Sequence, residues 1–335
     1  MLKRLVALAP TKSHVSHLIV SVCDLGIVGH QIRNQGVEVI ALGLNSPFKL
    51  PVVFLRLVRL VRNRNPDIVQ TWMYHADLIG GLAARLGGCR KIIWSVRNTD
   101  VFSNKGVSRS MALIMKLCAV LSGVVPHTIV CVAHRAKLIH AKNGYAQSKM
   151  TVIGNGFDLE MYKPNLNRRK HIRESLNIPT DALIIGSIGR FNQYKDHHNF
   201  ISSVERLASA DKKVYFLLVG REVDSNNQTI MGWINKTGYS DRFRLLGERS
   251  DIPDILCAMD IFCLHSKSEG FPNVLGEAMS VALPSVVTDV GDAALLLGDA
   301  GLVVPPAETE SLTRGLLKMI RSSSSYRTLL GSNAR

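Results

Sequence analysis

The 335-residue chain is 46% hydrophobic and 20% charged. That balance excludes disordered and fibrous classes, and the length implies about two domains. The formal net charge of +15 is unevenly placed: residues 1–170 hold 24 Lys and Arg against 7 Asp and Glu, whereas residues 171–335 hold 17 against 19. No apolar run reaches the ~18 residues of a membrane span, and the apolar run near the N-terminus falls short of the ~7–15 residues of a signal-peptide core. The six cysteines form no C-x-x-C pair and mostly sit in runs such as Val130-Cys131-Val132 and Phe262-Cys263-Leu264. They read as small hydrophobes in a reducing, cytoplasmic compartment.

Short β-branched runs alternate with longer helical patterns along the chain. In the first half, strands are predicted at 17–22, 37–42, 67–72, 91–96, 128–132 and 149–153, with helices at 52–64, 76–86, 109–122 and 134–143. In the second half, strands are predicted at 182–188, 213–219, 243–246, 260–265, 284–288 and 301–304, with helices at 197–210, 251–258 and 274–281. Such alternation specifies parallel, doubly wound sheets covered by helices on both faces. Two series of strands specify two α/β domains. The change of composition around Tyr162–Arg169, with Lys163-Pro164-Asn165 followed by a polar stretch, sets the expected domains at 1–165 and 166–335. Ser322–Ser325 is the only low-complexity piece, a helix start or a loop.

The residues that suggest chemistry lie in the second half. The strand at 182–188 runs into Gly189-Arg190, and Lys195 follows just before a helix. In open α/β sheets ligands bind beyond the carboxyl ends of strands. An Arg fork and a Lys point charge together suit a diphosphate, although a simple turn followed by a solvated Lys has the same pattern. More specific is the run Ser268-Glu269-Gly270-Phe271-Pro272-Asn273-Val274-Leu275-Gly276-Glu277. A strand enters a short loop, Pro272-Asn273 launch a helix, and two glutamates stand eight apart. The helix start offers N–H groups to a phosphate, and a carboxylate in the first turn could accept both hydroxyls of a ribose, as in dinucleotide folds. Taken singly, Glu277 could merely complement the helix dipole and Glu269 could be a surface charge.

This segment, with Gly189-Arg190, Lys195 and Thr288-Asp289-Val290-Gly291, resembles the retaining glycosyltransferases of family 4. Their Glu-x7-Glu pattern is met by Glu269 and Glu277. Trp72-Met73-Tyr74-His75-Ala76-Asp77, Asn155-Gly156-Phe157-Asp158 and Leu246-Gly247-Glu248-Arg249 extend the likeness over nearly the whole chain, to members from surface-polysaccharide and lipopolysaccharide gene sets. The resemblance implies the GT-B architecture: two Rossmann-like doubly wound domains facing a cleft. It implies transfer of a hexose from a nucleoside-diphosphate sugar to a polyprenyl-linked or other glycan precursor, with no separate cofactor. Gly189, Arg190 and Lys195 would hold the diphosphate and Glu277 the ribose. Glu269 would hold sugar hydroxyls, with the backbone of Phe271, Asn273 and Val274 close by. His75, and more weakly Asn98, would face the sugar from the first domain. The precedent is retention without a fixed protein nucleophile, and no D-x-D occurs, so no metal is called for.

In that architecture the first domain receives the acceptor. Arg56, Arg59, Arg62 and Arg64 on one helix, and Lys105, Arg109 and Lys116 around the apolar 111–125 run, suit an anionic partner. An anionic membrane at the inner face of the plasma membrane fits such a surface, and so does a plain solvated basic face over a core helix. The pattern departs from the family in three places. The first strand and its Gly-Gly-x-Glu turn are expected to be missing, Met1–Val6 reading as the helix that follows them. That leaves exposed strand edges and two readings: a start further upstream, or a shortened, inactive form. The far end is expected to stop before the long last helix. Ala282 stands where Gly is usual. A nucleotide-sugar epimerase of the same architecture is the enzymatic alternative. A basic nucleic-acid-binding protein is the other, lacking any recognisable recognition motif.

Overall fold

The computed structural model describes Leu2, Leu5, Val6 and residues 15–99, 108–210 and 213–335. The expectations for the other residues of Met1–Val6 and for Lys105 fall outside the described residues. The chain divides into two compact units, Met1–Asn155 and Gly156–Arg335, each a Rossmann-like stack of parallel strands and helices.

Unit 1 runs β1 (Leu18–Ser21), α1 (Gly26–Arg33), β2 (Glu38–Ala41), α2 (Leu50–Arg64), β3 (Val69–Trp72), α3 (Tyr74–Leu86), β4 (Ile92–Val96), α4 (Arg109–Leu121), β5 (Thr128–Cys131), α5 (His134–Lys142) and β6 (Met150–Val152). Among the described residues its strands form two parallel sheets, β1-β2 and β3-β4-β5-β6. One edge of β1 and one edge of β3 have no strand partner among the described residues. The second sheet places Trp72 opposite Ser95 and Val96 opposite Cys131, so the strands end level with one another.

Helix α2 buries Val53, Leu57 and Val61, one face at a spacing of four. It stops at Asn65, whose left-handed backbone (φ 42°) breaks the helix. Arg56 and Arg59 are exposed, while Arg64 pairs with Glu38 at 2.5 Å and Arg62 reaches the Leu86 carbonyl at 3.4 Å. Helix α4 is capped by Ser108, which accepts from the Met111 N–H. It buries Met115, Cys118 and Ala119 and turns Leu113, Lys116, Leu117 and Val120 to the surface. Arg109, at the head of the helix, is exposed as well, so the outward face combines apolar side chains with two basic ones.

Unit 2 runs α6 (Leu166–Ser175), β7 (Leu183–Ile188), α7 (His197–Ala210), β8 (Val214–Val219), α8 (Gln228–Lys236), β9 (Phe243–Leu245), α9 (Ile252–Ala258), β10 (Ile261–Leu264), α10 (Asn273–Ser280), β11 (Ser285–Thr288), α11 (Ala293–Leu297), β12 (Gly301–Val304), α12 (Thr309–Arg321) and α13 (Ser324–Ala334). Among the described residues its strands form one parallel sheet, in the order β12-β11-β10-β7-β8-β9. Neighbouring positions feed opposite faces: Ile184, Leu217 and Phe262 pack on one side with Leu275 of α10, and Ile185, Phe216 and Cys263 on the other with Phe200 of α7. That is why these strands are apolar throughout rather than alternating.

The polar stretch that marks the expected domain boundary forms the first turn of α6. Asn165 caps it by accepting from the Arg168 N–H at 3.0 Å, and two arginines fasten it to the unit. Arg173, 2% exposed, donates to the carbonyls of Ala258, Thr180 and Ala182 and to Asp260 at 2.6 Å. Arg169 takes the other Asp260 oxygen at 2.6 Å. The serine run likewise resolves into the N-terminus of α13, with Ser323 accepting from the Tyr326 N–H.

Candidate functional site

In unit 2 the strand order reverses between β7 and β10, and at such a switch point the loops leaving the two strands part and open a crevice. The residues after β7 are Gly189–Asp196 and those after β10 are His265–Pro272. The two loops that carry Lys195 and Glu269 thus leave adjacent strands at the place where this fold class binds ligands.

Lys195 is held by an Asx turn. The Asn192 side chain accepts from the N–H groups of Tyr194 and Lys195, both at 2.9 Å. Gly189 lets the lysine stem cross the turn, since a Cβ there would sit 3.1 Å from Lys195 Cδ. Lys195 Nζ meets Glu269 Oε1 at 2.6 Å, and the same oxygen accepts from Ser266 Oγ at 2.7 Å. The pair is neither buried nor free, at 21% and 13% side-chain exposure. Arg190 is exposed beside this turn.

The two loops are sewn together from below. The Lys267 N–H donates to the Tyr194 carbonyl at 2.7 Å, and Lys267 Nζ pairs with Asp196 at 2.9 Å. His265 Nδ1 lies 2.5 Å from the Lys195 carbonyl and its Nε2 lies 2.8 Å from Ser187 Oγ. A carbonyl only accepts, so Nδ1 carries the proton and Nε2 accepts from the serine hydroxyl. Burial, reinforced by neighbouring His197, pushes the His265 pKa down to about 3; burial holds His197 at about 4. Both imidazoles are neutral at physiological pH, so the positive charges near the crevice are those of Lys195, Lys267 and Arg190.

On the other side, Gly291 (φ 57°) packs so tightly on the Glu269 and Gly270 carbonyls that a Cβ would collide with them, and the Asp292 N–H donates to the Gly270 carbonyl at 3.1 Å. Helix α10 opens at Asn273 behind Pro272 (φ −75°, ψ 89°). Glu277 is the fifth residue of the helix and stands in its second turn, not the first as the sequence suggested, because the helix begins at Asn273, one residue before the predicted start. Phe157 lies against Gly276 where any side chain would overlap it, and stacks on Phe271 at 6.2 Å between ring centroids.

The structure thus brings together Gly189, Lys195 and Glu269, with Phe271, Asn273, Val274 and Glu277 following on the loop and helix that Glu269 precedes. His75 and Asn98 belong to unit 1. His75 is exposed as the second residue of α3, two positions after Met73, whose φ of 73° is strained for a side-chain-bearing residue. Asn98 is exposed just beyond β4. Sequence reasoning missed Asn192, Ser266 and His265. An asparagine three residues before a lysine is an Asx-turn signal and could have found the first; the other two are fixed by a tertiary contact that no local pattern reports. Among the described residues no group of three or more His, Cys, Asp or Glu is placed to hold a metal.

Comparison with known proteins places both halves. The family model for group 1 glycosyl transferases matches residues 168–335, and that for glycosyltransferase family 4 matches residues 16–161. The chain is 28% identical over 244 residues to the Escherichia coli UDP-Gal:alpha-D-GlcNAc-diphosphoundecaprenol alpha-1,3-galactosyltransferase, across 70% of this chain and 61% of that protein. It thus spans about three fifths of that relative's length. It is 25% identical over 288 residues to the Staphylococcus aureus capsular polysaccharide biosynthesis glycosyltransferase CapM, across 84% of this chain and 74% of CapM. Among solved structures, Anabaena Alr3699/HepE in complex with UDP and glucose superposes with a TM-score of 0.82 at 20% identity, over 99% of this chain and 89% of that one. That likeness bears on the fold.

Proposed function

This chain belongs to the group 1 glycosyl transferases, and from that premise we propose that it moves a hexose from a nucleoside-diphosphate sugar to a lipid-linked precursor of a cell-surface glycan, with retention at the anomeric carbon. The observation that carries the reading is the Lys195–Glu269 pair, set 2.6 Å apart on the two loops of the sheet's switch point. Capsular and diphosphoundecaprenol-linked relatives support the glycan and the lipid parts of it.

Each residue then has a task. Arg190 and Lys195 take the diphosphate oxygens and stabilise the charge that grows on the departing phosphate. Lys195 exchanges part of its contact with Glu269 for the phosphate, which turns the Glu269 carboxylate toward the sugar hydroxyls. Glu277 accepts the ribose hydroxyls, and the helix start at Asn273 and Val274 adds a favourable dipole. His265 fixes the Lys195 carbonyl and so the turn that presents the ammonium group. No protein nucleophile is required: the acceptor hydroxyl attacks the face the diphosphate leaves, and its proton passes to the departing phosphate oxygen. His75 is the unit 1 candidate for this reaction.

Among the described residues no helix is long and apolar enough to cross a membrane. The exposed Leu113, Leu117 and Val120 with Arg109 and Lys116 form the surface we assign to an anionic leaflet, which would hold the protein peripherally. Flotation with anionic liposomes at low salt tests that assignment, and absence of binding removes it. For the activity, the purified chain is incubated with radiolabelled nucleotide-sugars and polyprenyl-diphosphate-sugar acceptors. Transfer should fall at least about a hundredfold in Glu269→Ala and in Lys195→Ala, with circular dichroism unchanged. Wild-type turnover in either variant would refute the site.

A further inference from the structure

A charge in a protein interior is tolerated when an opposite charge or a full set of acceptors meets it. Arg173 in unit 2 satisfies this rule through Asp260 and three carbonyls. Arg97 in unit 1, half-buried, finds no such set among the described residues. It follows β4 directly, beyond the carboxyl end of the strand and beside the end of β3. Its guanidinium lies over the Trp72 ring, 4.2 Å from the centroid, and one terminal nitrogen donates to Asn155 Oδ1 at 2.6 Å. Nε is buried without a partner, and no carboxylate among the described residues pairs with the group. Burial lowers the Arg97 pKa with no opposing charge to restore it. Among the described residues, Trp72 and Asn155 hold the guanidinium but leave its charge unmatched and its planar fork largely unused.

We propose that Arg97 is an anion subsite of unit 1 that takes the phosphate oxygens of a diphosphate. The fork matches two oxygens of a phosphate at once, and the indole face holds the plane without competing for the donors. The end of a parallel strand is where this fold class receives ligands. His75 and Asn98, both exposed, leave the same strand ends. Two sources offer the chemistry under the transferase reading on which this subsite rests: the diphosphate of a lipid-linked acceptor and that of the nucleotide donor.

Calorimetric titration of the full chain separates them. UDP and GDP are titrated first; farnesyl diphosphate is then titrated in the presence of whichever nucleotide binds. If the acceptor is the source, Arg97→Gln weakens farnesyl diphosphate binding about tenfold or more and leaves nucleotide binding unchanged, while Lys195→Ala does the reverse. If the donor is the source, Arg97→Gln weakens the nucleotide instead. Arg97→Lys, which keeps the charge but not the fork, should recover only part of the loss and serves if the Gln variant fails to fold. Unchanged binding of both ligands in Arg97→Gln overturns the subsite. The titration reads binding without turnover, so Arg97-dependent binding in a chain that transfers no sugar would refute the transferase reading and leave the subsite standing.

Discussion

His197 and His265 make the stability of unit 2 sensitive to mild acid. Their rings meet edge to face at 5.2 Å under the turn that carries Lys195, and burial holds their pKa values at about 4 and about 3. In the unfolded chain both titrate near 6.5. Above that pH neither state binds the protons. Below it the unfolded chain binds them and the folded unit cannot, so stability falls as pH falls, down to the folded values. Each imidazole contributes about 1.4 kcal/mol per pH unit. From pH 7 to 5 the pair should therefore remove about 4 kcal/mol, a large part of the roughly 5–15 kcal/mol that holds a domain folded. Urea unfolding at pH 7 and pH 5 measures the difference. Trp233 is the tryptophan of unit 2, so fluorine NMR of 5-fluorotryptophan protein reports that unit separately. The His197→Gln/His265→Gln double variant, if folded at pH 7, should lose most of the pH dependence. A variant that keeps the wild-type slope would show that these imidazoles are not the groups held neutral.

Three further changes test other parts of the structure. Ala282 has a left-handed backbone (φ 60°), so Ala282→Gly should raise the urea midpoint by up to about 1 kcal/mol in stability at constant m, the steric relief outweighing the added chain entropy. Arg173→Met leaves three carbonyls and one Asp260 oxygen short of a donor and should cost about 3–5 kcal/mol in the same assay; Arg173→Lys should recover little, because a point charge cannot reach the four acceptors. Asp77, buried beneath the start of α3 with Thr71 donating to it at 2.5 Å, has its pKa raised by burial to about 8. The folded unit keeps a proton that the unfolded chain releases near 4, so unit 1 loses stability as pH rises through 8. Asp77→Asn should flatten that decline between pH 6 and 8, by about 1.4 kcal/mol per pH unit.

The strands were legible because each is a short apolar run bounded by turn residues, and buried parallel strands need nothing else. The Glu269–Glu277 segment was legible because its loop, proline and helix are contiguous. Three features were not. Helix α6 has a strongly polar composition and is stabilised by Arg169 and Arg173 reaching residues 257–260, some ninety positions away, so no periodicity announces it. The Lys195–Glu269 contact joins residues 74 apart; motif reasoning gave each a separate ligand and did not foresee that they hold each other. The outward face of α4 was obscured because net charge counts residues without saying which way they point. Ala282 was the reverse case: the oddity of an alanine at a glycine position was visible in the sequence, and the backbone angle supplies its reason.

The central claim is that the switch-point loops of unit 2 grip a nucleoside-diphosphate sugar. A crystal structure of the full chain soaked with such a donor tests it most directly. The account predicts the diphosphate on Arg190 and Lys195, the ribose hydroxyls on Glu277 and the sugar hydroxyls on Glu269, with the 2.6 Å Lys195–Glu269 contact lengthened. A donor bound elsewhere, or one bound there with both carboxylates turned away from it, would contradict the account.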